Sequence, residues 1–184
     1  MNKLAAIFFA SVLVCSISAC DNDPEIPNEG EVITDLVFTL TPQSGGTAVV
    51  LNFADADGDG GNAPVITVDD LAANTTYAGA ITIGGLADGE EEDITVEIAE
   101  EDEEHQFFFS SSLSDLVVAY NDTDADGNPV GLSTTVETGE AGSGTLTVTL
   151  RHEPAKDAAG VAEGDITNAG GETDIEVIFN VTVK

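Results

Sequence analysis

The sequence predicts an all-β fold, an antiparallel β-sandwich of about ten short strands, on three observations. Apolar residues recur with a period of two through most of the chain after residue 31. Clusters of glycine, asparagine and serine punctuate these runs. Ala155–Ala162 is the only stretch that reads as a helical turn, and a short one. Many short strands joined by Gly-rich turns pack as two antiparallel sheets rather than as a parallel α/β fold.

The segment before the strands reads as an address. Lys3 supplies a positive start, and Leu4 to Val14 is apolar, long enough for a secretory signal and too short to span a bilayer. Ile17-Ser18-Ala19-Cys20 follows. These four residues resemble a bacterial lipobox, which implies cleavage before Cys20 and lipidation of its thiol. Residues 1–19 are then a signal peptide, and 20–31 are the lipidated cysteine with an acidic tether holding Pro24 and Pro27. Residues 32–184 form the sandwich domain. Asp21 and Asp23 resemble, loosely, the surface-export signals of Bacteroidota lipoproteins. Cys15 and Cys20 are the only cysteines. The mature domain is therefore expected to rest on its core or on bound ions, not on disulfides.

The strands follow in order. Val32–Leu40 and Thr47–Ala54 flank the turn Gln43-Ser44-Gly45-Gly46. Pro64–Val68 is short, and Thr76–Ile83 stops at Gly84-Gly85. Over Asp93–Ala99, Ile94, Val96 and Ile98 alternate with Thr95, Glu97 and Ala99, which predicts a strand framed by the acidic runs Glu90–Asp93 and Glu100–Glu104. Such a belt reads as a solvated edge that discourages sheet-to-sheet aggregation. His105–Ser110 holds Phe107, Phe108 and Phe109 in a row, so core is expected on both of its faces. Leu116–Tyr120 and Leu132–Glu137 come next. In Thr145–Arg151, beyond the turn cluster Gly139–Gly144, Leu146, Val148 and Leu150 alternate with threonines. In Asp174–Val183, beyond Gly170-Gly171, Ile175, Val177, Phe179 and Val181 alternate with polar residues, Ile178 excepted.

Leu71-Ala72-Ala73-Asn74-Thr75-Thr76-Tyr77 resembles the corner that precedes a strand in fibronectin type III domains, with Asn74 where glycine is usual and Ala73 where proline is usual. The resemblance implies an immunoglobulin- or fibronectin-III-like sandwich. It also implies that the Tyr77 hydroxyl bonds back to the corner backbone while its ring fills the core.

A weak internal repeat is present. Val50–Gly60 parallels Val117–Gly127 at a constant offset, each an apolar strand, an aromatic residue, then aspartates at alternate positions closed by glycine. Asp55, Asp57 and Asp59, and Asp122, Asp124 and Asp126, both fit D-x-D-x-D-G, the first half of a calcium loop, in which alternate carboxylates converge on one cation. The twelfth position, a bidentate glutamate in the full loop, is Ile66 in one copy and Ser133 in the other. Remaining Ca²⁺ ligands are then expected from carbonyls or from Asp69, Asp70 or Glu137. The alternative reading is that these residues simply build hairpin turns.

Charge bounds the partners. The chain carries 35 acidic residues and a net charge of −31, and beyond residue 19 only Arg151, Lys156 and Lys184 are basic. This surface repels nucleic acid and attracts cations. No G-x-S-x-G, H-E-x-x-H or phosphate loop is present. With no Trp and two Tyr, a sugar-stacking hydrolase is poorly supplied. His105 and His152 are the only histidines, each beside glutamate. If their strands were neighbours, they and a carboxylate would suit Zn²⁺ or Cu²⁺.

Glu104-His105-Gln106-Phe107-Phe108-Phe109, Asp124–Val130 and Leu150–Pro154 together resemble small flavobacterial lipoproteins commonly labelled as a type 1 periplasmic binding fold superfamily. That label implies a two-lobed α/β receptor, for which this chain is too short and too β-rich. The resemblance implies an address more than an activity. The expectation is a non-catalytic surface lipoprotein, anchored in the outer membrane and serving as a binding or accessory module for an uptake receptor. The alternative is a transition-metal- or haem-capturing lipoprotein using His105 and His152, and the distance between them separates the two.

Overall fold

The computed structural model describes residues 32–58, 61–87 and 90–184. The expected lipobox Ile17–Cys20 and tether 20–31, and Asp59 and Gly60 of the first Asp loop, lie outside them. The described chain forms ten strands in two antiparallel sheets. The larger sheet runs β3 (Val65–Val68), β2 (Val49–Ala54), β1 (Val32–Pro42), β4 (Thr76–Ala87), β8 (Ser133–Glu137), β7 (Val117–Tyr120), with β5 (Glu90–Glu92) added along the end of β4. The smaller sheet runs β10 (Glu172–Val183), β9 (Gly142–His152), β6 (His105–Ser111).

The alternation written in the sequence selects the inner faces. Leu36, Phe38 and Leu40 of β1 and Ile81 and Ile83 of β4 share one core with Phe107 of β6, Leu146, Val148 and Leu150 of β9, and Val177, Phe179 and Val181 of β10. The Phe38 and Phe109 rings meet across the two sheets at 5.7 Å. Each such side chain contributes roughly 1.5–3 kcal/mol by leaving water, so this interface stabilises a domain that has no disulfide. Phe108 points the other way, as the triplet requires. It packs with Val161 and Ala169 from the excursion between β9 and β10. Ala155–Ala162 forms turns rather than a helix, and a 3₁₀ turn follows at Ile166–Asn168.

One expected strand is a helix. Asp93–Ala99 folds as α1 (Ile94–Glu100), capped by Asp93, whose carboxylate accepts the Thr95 N–H at 3.1 Å. Ile94 and Ile98 are buried whereas Val96 is 53% exposed, so the apolar spacing that matters is four, not two. The Thr95 hydroxyl donates to the Ile83 carbonyl and accepts the Ile83 N–H, which fastens the helix onto β4. Gly84-Gly85 is not a turn but part of β4. A Cβ on Gly85 would lie 2.2 Å from Ile94 Cδ1, so the glycine gives α1 its seat. The acidic belt therefore frames a helix, and Glu90–Glu92 is an exposed edge strand.

The tyrosine corner forms. Tyr77 is fully buried, and its hydroxyl accepts the Ala72 N–H at 2.7 Å. Asn74 takes φ +50°, the left-handed conformation that glycine or asparagine adopts most readily. The Leu71 N–H donates to the Thr182 carbonyl and the Lys184 N–H to the Leu71 carbonyl, so the corner also joins the larger sheet to β10. The internal repeat has a topological cause. Its copies are the β2–β3 and β7–β8 hairpins, which form the opposite edges of the larger sheet.

Candidate metal centre

The inner face of the smaller sheet is a ladder of rungs. Ser111, Leu146 and Phe179 pair across the three strands, then Phe109, Val148 and Val177, then Phe107, Leu150 and Ile175. The next rung is His105, His152 and Glu172. At this end the core-facing series changes from apolar side chains to imidazoles. The two histidines are thus direct cross-strand partners. Their rings stack with centroids 4.9 Å apart and planes 10° from parallel.

Carboxylates gather on the same end. Glu104 leads into β6 from the turn that closes α1, and its Oε2 lies 3.8 Å from His152 Nε2. Glu153 follows β9 directly. Successive residues of a strand point to opposite faces, but Glu153 has φ +49°, which breaks the alternation. Its N–H donates to the Glu104 carbonyl at 2.7 Å. Gly171 lies against this bend, and a Cβ there would sit 2.1 Å from the His152 carbonyl oxygen. As a result Glu104, His152 and Glu153 each offer a ligand atom, all within 4.8 Å of one another.

The donor set fits a divalent transition metal. An imidazole nitrogen and two carboxylate oxygens, each ~2.0–2.2 Å from Zn²⁺, stand roughly 3.4 Å apart around a tetrahedral ion. Exposed glutamates cover the remaining distance by side-chain rotation, and water completes the sphere. The site is open, with the Glu104 side chain 56% exposed and that of His152 19%.

His105 and His152 are neighbours, as a shared ion would require, but in this arrangement their rings stack rather than converge. A metal lies in the plane of each imidazole that binds it, and two nearly parallel stacked planes share no such point. While stacked, the two rings cannot take opposite faces of one haem, although a single axial imidazole suffices to hold haem iron. His105 instead directs Nδ1 to the Glu101 carbonyl at 3.1 Å and is 7% exposed. Asp174 joins this end from the register shift between Thr173 and Ile175 of β10. Asp174 is exposed, yet partial desolvation raises its carboxyl above the ordinary value, while the imidazoles of His105 and His152 pull it back down.

The Asp loops are engaged differently. Asp122 accepts the N–H groups of Gly131 and Ser133, both at 2.8 Å. Asp124 Oδ1 accepts those of Asp126 and Asn128, and its Oδ2 lies 2.9 Å from the Lys156 ammonium. Burial of Asp124 works to raise its pKa, but Lys156 and these N–H donors outweigh it and hold the carboxyl below its usual value. These are the bonds of a turn, with a lysine where a bound cation would stand. Asp126 is exposed. In the first loop the Asn62 side chain and backbone N–H donate to Asp57, and the side-chain bond is the main reason its pKa lies low. Asp55 Oδ1 is enclosed without a partner among the described residues.

Adjacency in the sequence, Glu104-His105 and His152-Glu153, was the signal for the carboxylates. Nothing there marked Asp174 or the Lys156–Asp124 pair. No protein-family model, curated protein or solved structure matches this chain.

Proposed function

We propose that the protein is an exported, lipid-anchored, non-catalytic module that binds a divalent transition-metal ion, Zn²⁺ in the first instance, through Glu104, His152 and Glu153. One observation carries this reading: the β6–β9 register makes the only two histidines of the chain cross-strand partners, beside two glutamates that each offer a ligand atom within 4.8 Å of one from His152. The strong negative charge supports it by concentrating cations near the surface. The lipobox Ile17–Cys20 supports an address in the outer membrane, facing the exterior, where such a module would sit beside an uptake receptor.

Calorimetric titration with Zn²⁺ in excess Mg²⁺ tests the function, because Mg²⁺ screens the acidic surface without favouring imidazole. Wild type is expected to take up one ion and His152→Ala none. Equal uptake by both would reduce the binding to diffuse attraction. Fractionation of the native membrane tests the address. Cys20→Ala is expected in the soluble fraction, and its retention with wild type in the membrane would refute lipid anchoring.

A further inference from the structure

His105 is the more enclosed of the two histidines, yet it is not placed to share an ion with His152. We infer that His105 is a positioning residue of the metal centre, holding the His152 imidazole and the Glu104 turn in ligating register. This rests on the metal reading above.

Three contacts carry it. First, the His105 ring covers one face of the His152 ring over a nearly parallel stack. That limits the rotamers of the one nitrogen ligand, which has no second strand-borne side chain beyond Glu172 in its rung. Second, His105 Nδ1 faces the Glu101 carbonyl, and a carbonyl only accepts, so the proton sits on Nδ1. Third, the same Glu101 carbonyl accepts the Glu104 N–H at 2.9 Å, and the Glu104 carbonyl accepts the Glu153 N–H. His105 is therefore tied into the hydrogen bonds that fix both carboxylate ligands while its ring fixes the imidazole. Groups that orient a metal ligand without touching the metal typically change affinity by ~10–100-fold when removed.

The test is Zn²⁺ affinity, measured by competition with a chromophoric chelator on the full domain, together with ¹⁵N NMR of the imidazoles. His105→Ala is expected to weaken binding about tenfold or more. His105→Phe, which keeps a flat ring over His152, is expected to restore most of that loss. Zn²⁺ should shift a ring nitrogen of His152 as a ligand and leave the His105 pattern that of an Nδ1–H tautomer. Melting curves of the metal-free variants establish that each is folded, and if His105→Ala is not, His105→Leu replaces it as bulk without a flat face. Wild-type affinity in His105→Ala, no rescue by His105→Phe, or a ligand-type shift on His105 would each overturn the inference. Indistinguishable binding by wild type and His152→Ala would instead remove the metal reading itself, and this inference with it.

Discussion

Lys156 Nζ lies 2.9 Å from Asp124 Oδ2, and both side chains are almost wholly enclosed, at 4% and 1% exposure. The ammonium also donates to the Asp102 carbonyl, so one buried cation joins the second Asp loop, the turn after α1 and the β9–β10 excursion. Removing one partner of such a pair leaves an uncompensated charge. Lys156→Met is therefore expected to cost roughly 3–5 kcal/mol in urea unfolding. Adding Asp124→Asn should recover much of that, because Asn Oδ1 still accepts the Asp126 and Asn128 N–H groups. A loss under about 1 kcal/mol in the single variant would show that the pair is not closed in solution.

The same pair sets an acid limit. The folded pKa of Asp124 is depressed below its unfolded value of about 3.9. Its contribution is then fully present above that pH and is lost as pH falls through the folded pKa. The stability gap between wild type and the Lys156→Met, Asp124→Asn double variant should stay constant from pH 7 to about 5 and shrink below about 4. A gap that stayed constant down to pH 2 would contradict the assignment.

With Lys156 in place, the second Asp loop has little to gain from calcium. Ca²⁺ and Mg²⁺ at equal ionic strength are expected to raise the melting temperature alike, by screening the acidic surface. A calcium-specific rise that Asp57→Asn abolishes would place an ion in the first loop. One that Asp124→Asn abolishes would mean that calcium displaces Lys156.

Helix α1 separates two residues that a strand would treat alike. Ile98→Ala should cost roughly 2–5 kcal/mol, since its side chain is fully enclosed. Val96→Thr should change stability by no more than about 0.5 kcal/mol, since Val96 faces solvent. Equal costs at the two positions would return Asp93–Ala99 to a strand.

These residues also show what the sequence could reveal. Ile94 and Ile98 share a face in a strand and in a helix alike, so their spacing did not decide between the two. Val96 tipped the reading toward a strand, although Asp93 was a legible N-cap. The corner at Tyr77 was legible because its defining bond, from the Ala72 N–H to the Tyr77 hydroxyl, spans only five residues of chain. Phe107–Phe109 announced two cores because neighbours in a strand must diverge. The proposed metal centre was half legible. Each histidine stood beside glutamate, but their meeting depends on β6 pairing with β9 across the β7–β8 hairpin, a long-range choice that local periodicity does not encode. The backbone bend at Glu153 and the register shift that brings in Asp174 are likewise products of tertiary packing.

The most direct test of the central claim is an anomalous difference map from a crystal of the domain soaked in Zn²⁺. The expected result is one peak about 2.0–2.2 Å from His152 Nε2 and from carboxylate oxygens of Glu104 and Glu153, with the His105 ring still stacked on His152. A crystal with no peak at this end of the smaller sheet, or with zinc only on the Asp loops, would contradict it.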